Sequence, residues 1–338
     1  WTPNEQCFSS FENLVDNNQT ISFSFPTRSN SIAVSLFKID RRLSISLSYQ
    51  YENLQPISID RVGTFFRLAV PKTSSNLLKP LLVMIDIAMK DNTIRTITIR
   101  SSIEIKNHLL TSIEIRLKTH EEMIYEMILE PNESRSLPIQ FCSNLKELHI
   151  RPANFALDYC DEPISWSDID KTSQNRISFL RSCSIGGKEA VYYFTFQSKQ
   201  TCRQSVSIYK LSILPPLIIS NLLPCSLDLE MPLYPQKLQL NPYETHREHA
   251  LNILELFDLR FTTDIYRMNR SLQLPPLSEL TKLKSLQQKV CFYDQLQREL
   301  LVDVNIDCID NYRLKISISV PYILLNKTGI PLIFKDNN

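Results

Sequence analysis

Apolar and polar residues alternate along much of this chain. Ile32-Val34-Leu36, Leu43-Ile45-Leu47-Tyr49, Ile113-Ile115-Leu117 and Leu314-Ile316-Ile318-Val320 each set apolar side chains at every second position. Successive strand residues point to opposite faces, so a period of two predicts half-buried antiparallel strands. Turn-forming pairs fall between the runs, at Asp91-Asn92, Pro131-Asn132 and Gly186-Gly187. One stretch departs from the pattern. Leu277, Leu280, Leu283 and Leu286 recur every three residues and predict a short helix over 278–288, inserted on the sheets. The expected fold class is all-β.

The alternating runs are organised around a repeat. "IEIKNHLLTSIEI" at Asn107, "LIISNLLPCSLDL" at Asn221 and "YILLNKTGIPLIF" at Asn326 align without gaps, their asparagines 114 and 105 residues apart. Each has a strand, the asparagine, a short polar or Pro/Gly break, and a second apolar strand. A Pro/Asn/Glu turn follows two of them downstream, "EPNES" at Glu130 and "NPYET" at Asn241. A period near 100 residues exceeds the roughly 20–50 of solenoid and propeller repeats and fits a small β-sandwich. The expectation is tandem antiparallel β-sandwich modules of about 100 residues. A first module is expected over 1–93, a second over 94–205 and a third over 206–311, with 312–338 opening a truncated fourth.

Strand parity places the asparagines. Ile97, Ile99, Ile103 and Ile105 share parity with Asn107, Leu217 and Ile219 with Asn221, and Ile316, Ile318, Val320, Tyr322 and Leu324 with Asn326. Each asparagine therefore continues an apolar, inward face. A carboxamide there brings two donor hydrogens and an acceptor oxygen, and an unpaired buried polar group costs roughly 1–3 kcal/mol. Asn107, Asn221 and Asn326 are expected to tie down the backbone of the break that follows. The alternative role for them is to shape a groove for a partner.

Composition narrows the function. Thirty-seven basic against thirty-six acidic residues leave a net charge of +1, with no general pull on nucleic acid or anionic lipid. Clusters such as Lys38/Arg41/Arg42 and Lys282/Lys284/Lys289 are expected to be solvated surface. The four glycines, Gly63, Gly186, Gly187 and Gly329, cannot compose a Rossmann fingerprint, a P-loop or a G-x-S-x-G elbow. The most apolar stretch, Leu211–Pro224, is too short and too proline-rich for the roughly 20 residues of a membrane span. No signal-peptide pattern opens the chain, and its start at Trp1 suggests a fragment.

The eight cysteines contain no C-x-x-C pair or zinc-type spacing. Cys183/Cys202 and Cys291/Cys308 recur as a pair. Yet the Gly186-Gly187 turn lies too close to Cys183 for it to face Cys202, and buried free thiols are expected. His246 and His249 flank Glu248 in an H-x-x-H spacing that is not the i, i+4 pair of a zinc protease. Asp158, Asp161, Glu162, Asp168 and Asp170 read as loop acidity. Of the N-x-S/T sequons at Asn18, Asn132, Asn269 and Asn326, the last lies on an inward parity where a glycan does not fit. No catalytic residue, metal or cofactor is expected.

The asparagine-centred segments also carry a resemblance. "PPLIISNLLP" (Pro215–Pro224), "PYILLNKTGIPLIF" (Pro321–Phe334) and "ISIDRVGTFFR" (Ile57–Arg67) resemble the adaptor-binding region of the vacuolar protein sorting 13 family. The likeness covers most of the chain, and Asn107, Asn221 and Asn326 match the recurrent asparagine of the family's modules. It implies a non-catalytic segment of a very large bridge-like lipid transfer protein, whose lipid groove lies elsewhere. In that family a string of six β-sandwich modules docks Pro-X-Pro-type peptides of membrane-bound adaptors and recruits the protein to organelle contact sites. The chain would be cytoplasmic and peripheral at the membrane, touching adaptors and other domains of the same protein. It would hold the earlier modules, whereas the family's best-characterised peptide groove involves the last ones, so no peptide-contact residue is carried over. The alternative is a structural or adhesive extracellular β-sandwich array.

Overall fold

The computed structural model describes residues 42–47, 50–72, 80–90, 94–170, 176–231, 237–255 and 257–322. Residues 42–338 form one compact unit; the other, 1–41, lies outside the described residues. So do Asn326, the expected Ile32-Val34-Leu36 strand, Asp91-Asn92, Asn18, Lys38, Arg41 and most of the expected fourth module.

The chain is all-β with three short helices among the described residues. Its first part pairs β1 (Arg42–Leu43) with β2 (Ile57–Ser58), then runs through β3 (Gly63–Ala69), β4 (Leu81–Lys90) and β5 (Ile94–Arg100) as an antiparallel meander. Of the expected Leu43–Tyr49 strand, Tyr49 lies outside the described residues; within 43–47 only Leu43 is in β1, although Leu43, Ile45 and Leu47 do alternate with more exposed neighbours.

The second part begins with β6 (Ile103–Asn107), β7 (Ile113–Thr119), β8 (Ile124–Leu129), β9 (Ser134–Ser136), helix α1 (Ile139–Cys142) and β10 (Leu145–Pro152). It continues with β11 (Ile164–Ser165), α2 (Trp166–Asp170), β12 (Arg176–Ser184), β13 (Ala190–Arg203) and β14 (Val206–Leu214). The strands form two sheets, ordered β11-β10-β7-β8 and β12-β13-β14-β6-β9. Ile113, Ile115 and Leu117 of the first share one buried cluster with Ile105, Phe196 and Ile213 of the second, so the sheets pack face to face. Strand β7 shows why: in I-E-I-R-L-K-T every odd position is buried and every even one half-exposed.

The third part repeats this order. It runs through β15 (Leu217–Asn221), β16 (Leu227–Glu230), β17 (Leu238–Leu240), β18 (Thr245–Glu248), β19 (Phe257–Thr262), β20 (Arg267–Met268) and β21 (Leu272–Leu274). Then come α3 (Leu277–Leu283), β22 (Ser285–Tyr293), β23 (Glu299–Asp310) and β24 (Arg313–Ser319). Neighbour for neighbour, β22-β23-β24-β15-β18 matches β12-β13-β14-β6-β9, while β21-β19-β16-β17 matches β11-β10-β7-β8. Strand β20 bridges β19 to β22 and joins the two layers along one edge.

Two expectations are corrected, the strand sense and the helix end. The sheets are not purely antiparallel, because β6 pairs parallel with β14 and β15 with β24. A parallel partner needs a long crossover, and here nearly the whole repeat is the crossover. The expected divisions after residues 93, 205 and 311 fall between β4 and β5, β13 and β14, and β23 and β24. The last strand of each meander bonds back to the strand before it, so the sheets change at Ser101-Ser102 and Pro215-Pro216. The expected helix over 278–288 ends at Leu283, where Lys284 turns to a positive φ of 63°, and Ser285–Gln288 already belong to β22.

Candidate functional site

The repeated asparagines close a corner in which four chain segments meet. Asn107 ends β6 and is wholly buried. Its Nδ2 donates to the carbonyls of Thr111, Leu129 and Glu130 at 2.9, 3.1 and 3.2 Å, and its Oδ1 accepts the Leu109 N–H at 2.9 Å. Asn221 ends β15, equally buried. Its Nδ2 donates to the carbonyls of Cys225, Leu240 and Asn241 at 2.9, 3.2 and 3.0 Å, and its Oδ1 accepts the Leu223 N–H at 3.0 Å. Every polar atom of both carboxamides is engaged within the chain.

The main chain around them is matched as closely. The Asn107 and Asn221 N–H groups donate to the carbonyls of Glu133 and Glu244, both at 2.9 Å. The next residues, His108 and Leu222, donate to Ile213 and Ile318 of the parallel partner strands at 2.9 and 2.8 Å. In each corner, a strand of the five-stranded layer is thereby tied to the end of the opposite layer. Unpaired carbonyls at a sandwich corner would otherwise be buried without partners.

The Pro/Asn/Glu turn supplies a third component that sequence reasoning saw only as a landmark. Glu133 Oε2 accepts the Glu130 N–H and Glu244 Oε2 accepts the Asn241 N–H, both at 2.8 Å. Each turn has proline second, a left-handed residue third (Asn132 and Tyr243, both φ 62°) and the glutamate fourth. The shared spacing of Glu133 and Glu244 behind their prolines was the signal for this role. The Glu130 N–H, joined by the Arg135 guanidinium, outweighs the opposing effect of burial and holds the Glu133 carboxyl below the usual range.

The other residues singled out by sequence do not converge on one chemistry. His246 lies 3.3 Å from Glu248, whereas His249 stacks flat on Tyr192 with centroids 4.8 Å apart. Burial raises the pKa of Glu248, but bonds from His246 and from the Ala250 and His249 N–H groups outweigh it and lower the value overall. Asp158 accepts the Gly187 N–H, Asp161 accepts from Ser182 and Ser184, Glu162 pairs with Arg181, and Asp170 takes the Tyr209 hydroxyl. Asp168 lies in the first turn of α2. Lys282, Lys284 and Lys289 are exposed.

No cluster of three or more His, Cys, Asp or Glu suited to a metal occurs among the described residues. The seven described cysteines are free. Cys183 and Cys202 face Tyr192 and Ser207 rather than each other. The expectation of buried thiols holds at Cys160 and Cys183; Cys142, Cys291 and Cys308 are partly exposed, and Cys202 and Cys225 are exposed because they lie at the β13 end and in the corner turn. No helix among the described residues is long and apolar enough to cross a membrane.

Fold and corners together define an all-β protein built on a repeated two-layer unit, with an equivalent buried corner asparagine in each of the two complete units. The family model described as "Vacuolar-sorting associated protein 13, adaptor binding domain" matches residues 15–338, and the chain belongs to that family. It is 28% identical to the human (Homo sapiens) intermembrane lipid transfer protein VPS13D, over 85% of this chain and 7% of that protein. It is 26% identical to the Drosophila melanogaster intermembrane lipid transfer protein Vps13D, over 95% of this chain and 8% of that protein. Identity to the Chaetomium thermophilum intermembrane lipid transfer protein VPS13 is 23%, over 83% of this chain and 9% of that protein. The chain spans less than a tenth of the length of these relatives.

Proposed function

We propose that this chain is a non-catalytic recruitment segment of a bridge-like lipid transfer protein. In this reading it helps to place that protein at organelle contact sites by holding Pro-X-Pro-type peptides of membrane-bound adaptors. It acts from the cytoplasm and also touches other domains of the same polypeptide. The observation that carries the reading is the adaptor-binding family match across residues 15–338. The repeated sandwich units fit it, because each leaves a short strand at the border of one layer, β8 and β17. On β8, Ile124 and Ile128 stand more than half exposed beside that border. An extended peptide can add to such a border through main-chain bonds while apolar neighbours accept its prolines, and a proline-rich ligand is already extended. Asn107 and Asn221 serve this function indirectly, as fasteners of the corners; the same role is assigned to Asn326.

Fluorescence anisotropy with labelled Pro-X-Pro peptides and their Ala-X-Ala counterparts tests the reading. Binding near micromolar, worth about −8 kcal/mol, that is lost when the prolines become alanine is expected. Equal binding of both peptides, or none of either by the chain and by the full-length protein, would contradict it.

A further inference from the structure

The three meanders, β3-β4-β5, β12-β13-β14 and β22-β23-β24, place equivalent outward rows across their centres. These are Thr64-Asp86-Thr98, Ser178-Gln197-Ser212 and Gln287-Asn305-Ser317. The first two rows are each touched by the tip of the last hairpin of the unit that follows, at Thr64 and at Gln197. Arg203, the last residue of β13, donates from Nη1 to Thr64 Oγ1 at 3.1 Å. Asp310, the last residue of β23 and the counterpart of Arg203, accepts from Gln197 Nε2 at 3.2 Å and lies 3.8 Å from Arg176. Beside it Thr195 Oγ1 donates to the Tyr312 carbonyl at 2.7 Å. The segment after the short fourth strand completes both contacts. Helix α1 packs against β4, and the His249 carbonyl accepts the Tyr193 N–H at 2.7 Å.

The third row has the same geometry: Gln287 is exposed and Asn305 partly so, while Ser317 lies deeper. A groove of about 350 Å³ opens there, lined by Leu222, Gln287, Asn305, Asp307 and Ser317. At the position equivalent to Thr195 stands Asp303, only 9% exposed, with an Oδ1 that has no hydrogen-bond partner. Leu301, at the position of Tyr193, is 38% exposed. Leu222, at the position of His108 whose carbonyl accepts from Arg247, is 41% exposed.

We infer that the outer face of β22-β23-β24 is the seat of a β-hairpin tip from the next module of the same polypeptide, and that this tip carries a basic side chain. The occupant follows from the two seats already filled, and the relatives extend far beyond the stretch matched here. Its chemistry follows from a reversal of donor sense. Thr195 is a hydroxyl donor and meets a carbonyl, whereas Asp303 is an acceptor and needs an incoming N–H. A charged donor makes the stronger bond to a carboxylate. Lys289 and Lys315 stand across the ladder from Asp303 and Asp307 on this face, yet leave Oδ1 of Asp303 without a partner. The inference rests on the modular organisation, not on adaptor binding.

Site-specific photo-crosslinking in the full-length protein tests it. Benzoylphenylalanine replaces Gln287 or, as the control, Ser178, and mass spectrometry identifies the joined peptides. The Ser178 probe should capture the peptide holding Asp310–Arg313. The Gln287 probe should capture, within the same polypeptide, a hairpin tip beyond Asn326 that contains Lys or Arg. If the control succeeds and the Gln287 probe yields no intramolecular product, or only a separate protein, the seat is overturned. A captured tip without Lys or Arg overturns its assigned chemistry. Failure of both probes overturns the modular organisation itself.

Discussion

At the scale of the residue, Asn107 and Asn221 concentrate an unusual number of obligations in one side chain. Removing the carboxamide of Asn221 leaves the carbonyls of Cys225, Leu240 and Asn241 and the N–H of Leu223 without their partner. Each buried orphan costs roughly 1–3 kcal/mol, and entering water offsets part of that, so Asn221→Ala should destabilise by about 2–4 kcal/mol in urea unfolding. This inward placement was legible in the sequence, because strand parity alone put both asparagines on the apolar face. Their acceptors were not legible: Leu129 and Leu240 lie far along the chain and reach the corner only through the fold.

His249 gives a second prediction at this scale. Burial, helped by His246 and Arg247, holds its pKa below the ordinary 6.5 despite the Tyr193 carbonyl and Glu248. The folded state therefore stays neutral where the unfolded chain takes up a proton. Its contribution to stability is complete above pH 6.5 and is lost as the pH falls from there through the lowered folded value. His249→Phe keeps the stacking on Tyr192 and should flatten thermal stability measured between pH 7 and 5. His108, which burial and the nearby Lys106, Arg313 and Arg247 shift the same way, contributes to the slope that remains.

At the scale of the element, the two corner turns are a natural comparison. Asn132 and Tyr243 hold the same left-handed position, which asparagine accepts more readily than an aromatic residue. Tyr243 is 59% exposed and contributes little packing. Tyr243→Asn should raise stability by roughly 0.5–1 kcal/mol, read as a higher urea midpoint at unchanged slope. The α3–β22 boundary shows how two periods can overlap. Leu277, Leu280 and Leu283 follow the helical spacing, but Leu286 begins the alternation of Leu286, Gln288, Val290 and Phe292 in β22. A count of leucines alone runs through the boundary. Strand pairing is hidden for a related reason: a tight turn such as Gly186-Gly187 is visible in sequence, whereas the ladder binding β14 to both β13 and β6 is not.

At the scale of the whole molecule, the account is one of repetition with closure. Two complete units share strand order, a parallel closing ladder and a buried asparagine corner, and a third meander precedes them. Sequence periodicity pointed to both of these asparagines, but not to the first meander, which carries no asparagine strand among the described residues. Nor could it show that each following hairpin reaches back onto the preceding sheet, since Arg203 and Asp310 share no residue type. The central claim is that every corner fastens its own unit and leaves the neighbouring core intact. Native-state hydrogen exchange of Asn107→Ala, read by mass spectrometry across the whole chain, tests it most directly. The account predicts faster exchange throughout β6–β14, with β15–β24 close to wild type away from the residues that touch the preceding unit, Arg247, His249, Asp310 and Tyr312. Uniformly faster exchange in both units, or wild-type exchange around Thr111, Leu129 and Glu130, would contradict it.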